Sequence, residues 1–212
     1  MPRKPAHLQE DTLGALRAHA FNLFGRYGYE GVSIGDIAKG AKLSKGALYW
    51  HFPGKEALYL DCLQRLHGIF NEDVFDPMKA ASDGATGMVL MFQGLVRLFA
   101  DPRIQQGVAG YWLIPSSPET AEIIATQRRF EGESQKVIAE SLRRGVAAGQ
   151  FDLADDDLDD LARAIMSLIE AFVLPMRHLT PDEIRPLIGV LARTLFRAYA
   201  RGNALSKLVS QV

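Results

Sequence analysis

The side chains in this 212-residue chain best placed to do chemistry fall in one run, SKGALYWH over residues 44–51, with Lys55 close behind. Ser44 offers a hydroxyl, Lys45 and Lys55 ammonium groups, and Tyr49, Trp50 and His51 ring O–H and N–H donors. Gly46 and Ala47 are small enough to let a backbone come close to whatever is bound. These groups suit holding an anionic surface. Nothing comparable points to catalysis or to a metal. The five histidines, His7, His19, His51, His67 and His178, lack metal-ligand spacing such as HExxH. Cys62 reads as a packing residue, and Glu119, Glu122 and Glu131 as a solvated helix face. No catalytic site, metal or cofactor is expected.

The elements that must position these donors are short helices. Asp11 or Thr12 can cap a first helix, with Leu16, Ala20, Leu23, Phe24 and Tyr27 on one face and Gly28 as its stop. Ser33 caps a second, with Asp36 returning the bond in a capping-box variant and Ile34, Ile37, Ala38 and Ala41 turned inward. Ser44 caps a third to about His51, with Ala47, Leu48 and Phe52 inward and Phe52 as an aromatic plug. Pro53 and Gly54 break the chain, and Lys55 starts a fourth helix through Leu58, Cys62, Leu63, Leu66 and Phe70. Two short helices about a tight turn make a helix-turn-helix, whose second helix enters the DNA major groove. In that setting Lys45, Gly46 and Ala47 come near base edges. Tyr49, Trp50 and His51 lie at phosphate height. Lys55 with its helix N-terminus, and Ser33 at the second helix, make further phosphate sites. Arg3 and Lys4 read as an unstructured end, with a minor-groove arm as the alternative.

The totals agree with a globular protein. A hydrophobic content of 48% with 23% charged residues argues against disorder. The single cysteine excludes an internal disulfide and suits a reducing cytoplasm. The opening MPRKPAHLQEDT is polar and reads as no signal peptide, and the most apolar run, from Ile165 to Met176, is broken by Ser167, Glu170 and Pro175, so no membrane role is expected. The net charge is −1, but residues 1–60 hold eight basic and five acidic side chains, giving +3 and leaving −4 for the remainder. The basic end is the one carrying the compact helical unit.

Beyond about Asp73 the predicted helices lengthen. The stretch from Met88 to Ala100 is apolar nearly all round and should be buried on most sides. After a loop at residues 114–117, Ser117 and Pro118 open a long helix to about Gly149. Carboxylates from Asp155 to Asp160 begin another, whose Arg163, Ser167 and Glu170 form one narrow polar stripe. So much apolar circumference calls for a partner as well as a core. The last helix starts at Thr180-Pro181-Asp182-Glu183, and Pro186 predicts a kink or a later true start. Leu187, Ile188, Leu191, Leu195 and Phe196 form its apolar face, with Arg193, Arg197 and Arg201 opposite. The fold class is all-α.

Over about residues 13–63, including FGRYGYEGVS, IAKGA and SKGALYWHFPGKEAL, the chain resembles the DNA-binding domain of the tetracycline-repressor (TetR) family of bacterial transcription regulators. One departure is Lys42, which stands where the family usually has a glycine in the turn. It would have to adopt a left-handed conformation at a cost of about 1 kcal/mol, and would add a possible phosphate contact. The resemblance implies an N-terminal three-helix domain over residues 1–54, a connecting helix over 55–72, and a larger helical domain over 73–212. That larger domain would bind a small-molecule effector and form a homodimer through its last two long helices. Met88, Met91, Phe92, Phe99, Tyr111, Trp112, Met166, Phe172 and Met176 are soft and aromatic side chains suited to an apolar or aromatic effector, although such stripes are also ordinary core. The expected function is a homodimeric repressor released from a palindromic double-stranded DNA operator by that effector. The alternative is a DNA-binding regulator whose C-terminal domain only dimerises or docks a protein.

Overall fold

The computed structural model describes residues 6–173, 179–204 and 206, with side chains from residue 12 onward. Arg3, Lys4, Pro175, Met176 and His178 lie outside the described residues. Among the described residues the α-helices run in order: α1 Ala6–Tyr27, α2 Ile34–Gly40, α3 Lys45–His51, α4 Lys55–Phe70, α5 Asp76–Lys79, α6 Gly84–Ala100, α7 Pro102–Gln105, α8 Ala121–Ala147, α9 Leu158–Val173 and α10 Pro181–Arg197. One wide turn, Asn71–Phe75, joins α4 to α5, and short 3₁₀ turns precede α8 and α9. The described residues contain no strand, only an isolated bridge between Phe151 and Ala200.

The chain forms two compact units, and neither is continuous in sequence. Residues 1–66 with 106–127 make the first, and residues 67–105 with 128–212 make the second. α4 and α8 each contribute to both.

In the first unit α1 supplies the core. Leu16, Ala20 and Phe24 are buried as expected and Phe21 joins them, whereas Tyr27 is 60% exposed and belongs to the opposite face. The helix starts before Asp11 and Thr12, so neither caps it. It stops at Gly28, whose φ of +71° lets its N–H reach the Phe24 carbonyl at 2.8 Å. Arg17 on α1 pairs with Asp61 on α4 at 2.6 Å and lies over the Phe52 ring, tying α1 to α4 and to the end of α3. Residues 106–127 close this unit. Tyr111 is fully buried, and its hydroxyl donates to the Phe21 carbonyl at 3.1 Å. A Cβ at Gly110 would stand 2.3 Å from the Phe24 carbonyl oxygen, so only glycine permits this backbone approach. Tyr59 sits among Phe24, Tyr29 and Tyr111 at ring-centroid distances of 4.8, 5.3 and 5.2 Å. In the same core, burial pushes the Cys62 thiol up to about 12, as suits an unreactive packing residue.

The second unit is built on α6, whose Met88, Val89, Met91, Phe92, Leu95, Leu98 and Phe99 are all buried. That agrees with its nearly continuous apolar sequence. Asp83 caps α6, accepting from the Thr86 N–H and hydroxyl, each at 2.8 Å, and from Gln150 Nε2 at 3.0 Å. The same Gln150 accepts from the Ala85 N–H at 3.0 Å, fastening the end of α8 to the start of α6. Asp152 and Arg201, 2.7 Å apart, flank the Phe151–Ala200 bridge. α8 runs unbroken through Gly132 and Gly145.

α10 carries its Thr180–Glu183 capping box as expected. Pro186 neither delays its start nor ends it: the helix is continuous from Pro181 to Arg197. The face predicted for α10 needs correction. Ile184, Ile188, Ala192 and Phe196 turn inward, whereas Leu187 is 46% and Val190 55% exposed.

Burial alone would raise the Asp83 carboxyl, but the hydrogen bonds from Thr86 and Gln150 outweigh it and hold the group well below the usual carboxylate range. A depressed folded value contributes stability above the unfolded value of about 3.9 and loses it as pH falls toward the folded one. Asp83→Ala is expected to cost about 1–2 kcal/mol at neutral pH. In thermal melts its deficit against the wild type should shrink as pH falls below about 4.

Candidate nucleic-acid interface

The helix-turn-helix is closed by local hydrogen bonds that the sequence anticipates. The Ser33 Oγ accepts from the Asp36 N–H at 3.1 Å and donates to the Asp36 carboxylate at 2.6 Å, while the Ser33 N–H donates to the same carboxylate. These bonds from the Ser33 side chain and backbone hold the Asp36 carboxyl below its ordinary range, with smaller help from Lys39 and Lys45. The Ser44 Oγ accepts from the Ala47 N–H at 3.1 Å and caps α3.

Lys42 has a φ of +57° and is the one non-glycine residue with positive φ among the described residues. Its N–H reaches the Lys39 carbonyl at 3.1 Å, and the Leu43 N–H reaches the Ala38 carbonyl at 2.8 Å. That pair of bonds is a Schellman motif, with Lys42 at the left-handed position glycine normally fills. It ends α2 sharply enough for α3 to begin three residues later.

Around this turn the side chains divide into two sets. Leu48 is fully buried and Phe52 is 8% exposed, so both point into the unit as expected. Tyr49 is 52% and Trp50 72% exposed, and the Trp50 and His51 rings meet edge-on at 5.0 Å. Ser33, Lys42, Ser44, Lys45 and Gly46 are exposed, and Ala47, His51 and Lys55 half-buried. Beside Gly46 a Cβ would meet only the Ser44 Oγ, at 3.9 Å, so this face of α3 stands open. The Lys45 side chain lies back across Gly35 on α2, where its Nζ would sit 3.3 Å from an added Cβ. Lys55 begins α4 with its Nζ 4.2 Å from the centroid of the Tyr29 ring. All ten residues expected at a DNA surface fall in the first unit, on α2, α3 and their flanks.

The family model described as "Bacterial regulatory proteins, tetR family" matches residues 16–62. The chain is 33% identical over 182 residues to the HTH-type transcriptional regulator LmrA of Bacillus subtilis, covering 85% of this chain and 93% of that protein. The chain belongs to the TetR family. It is a DNA-binding transcriptional regulator, and its family is one of regulators, not enzymes. Among solved structures, a TetR regulator from Chloroflexus aurantiacus shares the fold with a TM-score of 0.76 at 21% identity, covering 92% of this chain and all (100%) of that one. The regulator AibR, solved with isovaleryl coenzyme A and operator DNA, shares it with a TM-score of 0.64 at 17% identity, covering 84% and 97%.

Of the nine residues expected around an effector, Met176 lies outside the described residues and the other eight are divided between the units. Met88, Met91, Phe92 and Phe99 on α6 and Met166 on α9 are buried in the second unit, where half-buried Phe172 meets Phe99 at 6.3 Å. Tyr111 and Trp112 belong to the first unit, and Tyr111 has its hydroxyl bonded to backbone there. Sequence reasoning passed over an aromatic cluster in the second unit. His67 stacks on Phe130 at 4.0 Å with parallel rings, and Phe70 and Phe75 approach Phe130 edge-on. Buried Ser134 lies one turn beyond Phe130 on α8. The i, i+4 spacing of Phe130, Ser134 and Ile138 was the available signal for that face. No group of three potential ligands among the described residues could hold a metal ion, and none of the searched helices is long and apolar enough to cross a membrane.

A left-handed lysine costs about 1–2 kcal/mol, partly offset by the larger unfolded-state entropy of glycine. Lys42→Gly should therefore raise stability by about 0.5–1 kcal/mol in denaturant titrations, with an unchanged far-ultraviolet spectrum.

Proposed function

We propose that the protein is a homodimeric repressor that binds a palindromic operator through its first unit and leaves it when a small apolar or aromatic effector binds the second. The observation that carries this reading is the open face of α3. Tyr49 and Trp50 are more than half exposed on a seven-residue helix whose other side is buried through Leu48. Large aromatics left outside their own core point to an external partner, and the capped, glycine-bearing helix beside them fits the major groove. In this reading Lys45, Gly46 and Ala47 stand near base edges. Ser33, Lys42, Ser44, Tyr49, Trp50, His51 and Lys55 stand near phosphates.

Dimerisation is assigned to α9 and α10. Leu187 and Val190 on α10 are about half exposed, and Leu161, Leu168 and Phe172 on α9 half-buried. A two-fold dimer would set two α3 helices in successive major grooves about 34–36 Å apart. The AibR complex is a relative in fold that carries both an acyl coenzyme A and operator DNA. The effector here is assigned to the apolar interior of the second unit, around Met88, Met91, Phe92, Phe99, Met166 and Phe172. To move the dimer from 1:99 to 99:1 in favour of a non-binding state, the effector must prefer that state by about 5.5 kcal/mol.

Binding to the DNA upstream of its own gene should be salt-dependent. Lys55→Ala should weaken all sequences alike and lower the salt slope by about 1 per half-site, whereas substitutions at Lys45 or Ala47 should change the preference between sequences. Absence of salt-dependent binding, with and without candidate effectors, would overturn the reading. Leu187→Asp combined with Val190→Asp should yield monomers in sedimentation velocity; an unchanged dimer would remove α10 from the interface.

A further inference from the structure

The Lys55 ammonium lies 4.2 Å from the centroid of the Tyr29 ring. Among the described residues no carboxylate oxygen comes within ion-pairing distance of it, whereas Arg17 in the same unit pairs with Asp61. Tyr29 itself is 6% exposed and is braced edge-on by Tyr59 at 5.3 Å. Tyr59 in turn packs on Phe24 and Tyr111, so the ring under Lys55 is fixed by the centre of the core.

We propose that Tyr29 is the positioning residue for Lys55, holding its ammonium over a π face so that the full positive charge is presented to a DNA phosphate. The proposal rests on the reading of Lys55 as a phosphate contact. Its physical basis is a contrast between two ways of holding a lysine. A carboxylate fixes the ammonium strongly but cancels its charge toward a second anion. An aromatic quadrupole attracts the cation without neutralising it. It also restricts a flexible four-carbon stem before DNA arrives, which lowers the ordering cost of binding. The break at Pro53-Gly54 leaves Lys55 at the first position of α4, where a helix N-terminus already favours an anion. Ring, ammonium and helix end together make one pre-arranged phosphate site. Tyr29 touches no DNA in this account and acts through Lys55.

The test uses the full-length protein and duplex DNA of mixed sequence, because a phosphate contact is blind to sequence. Tyr29→Leu should weaken binding about fivefold at low salt, and Tyr29→Phe, which keeps the π face, should stay within about twofold of wild type. In a Lys55→Ala background Tyr29→Leu should add less than about twofold, because the two residues act as one unit. Additive losses, or a Tyr29→Phe defect as large as that of Tyr29→Leu, would overturn the proposal. Since Tyr29 is also a core residue, nuclear magnetic resonance of the wild type supplies a check that needs no variant at Tyr29. The ε-methylene protons of Lys55 should show an upfield ring-current shift, and an unshifted resonance would equally overturn it. Wild-type protein that failed to bind duplex DNA at all would instead remove the phosphate reading on which the proposal stands.

Discussion

Helices of seven residues, such as α2 and α3, lack the length to hold themselves in water, where isolated helices are marginal below about 12–15 residues. Their existence here depends on apolar anchors reaching a core built by other parts of the chain. Ile37 and Ala38 on α2, and Leu48 and Phe52 at α3, are buried, as are Leu16, Phe24, Leu58 and Leu63 on α1 and α4. Most of the donors sit on what remains outside, although the Ser33 and Ser44 hydroxyls also cap their own helices. The proposed recognition surface is the part of two short helices that the core does not use.

The same dependence explains why the first unit is discontinuous. The helices α1 to α4 do not enclose Phe21, Phe24 and Tyr59 unaided, and residues 106–127 return to finish the enclosure. Glycine at 110 permits backbone contact with α1, and Tyr111 adds its ring to the cluster and its hydroxyl to the Phe21 carbonyl. Tyr111, which by type and polarity could have met an effector, is thus committed to the core of the DNA-binding unit. Residues toward the middle of the chain help decide how firmly α1 and α4 hold the recognition helices.

In the second unit the organising feature is α6, an apolar helix with little polar surface of its own. Its ends are therefore defined by others: Asp83 and Gln150 at the start, and Arg103 with Asp101 beyond its end. Those are charge-assisted bonds in partly buried positions, where they count for more than at the surface. The aromatic pairs of this unit place Phe92 and Phe151 on Phe196, Phe99 on Phe172, and His67 on Phe130. They join helices far apart in sequence.

Much of this architecture was legible in the residues. Helix identities followed from apolar spacing, the Ser33 and Thr180 caps from four-residue signatures, the Ser44 cap from a serine ahead of its helix and the Ser117 cap from the proline after it, because caps are satisfied within a few residues of themselves. The left-handed turn at Lys42 was legible only through the family resemblance, in which glycine usually fills that position. Three things were decided only by tertiary packing. Tyr27 and Leu187 fall on apolar stripes yet face outward, because a stripe is wider than the contact available to it. Pro186 is accommodated inside a continuous helix, although it gives up the bond an N–H there would make to the Asp182 carbonyl. The return of residues 106–127 to α1, and with it the place of Tyr111 and the ring beneath Lys55, depends on side chains meeting across 26 to 90 positions. Local sequence determines hydrogen bonds that close within one turn, whereas which aromatic faces meet is settled only when distant helices compete for the same buried volume.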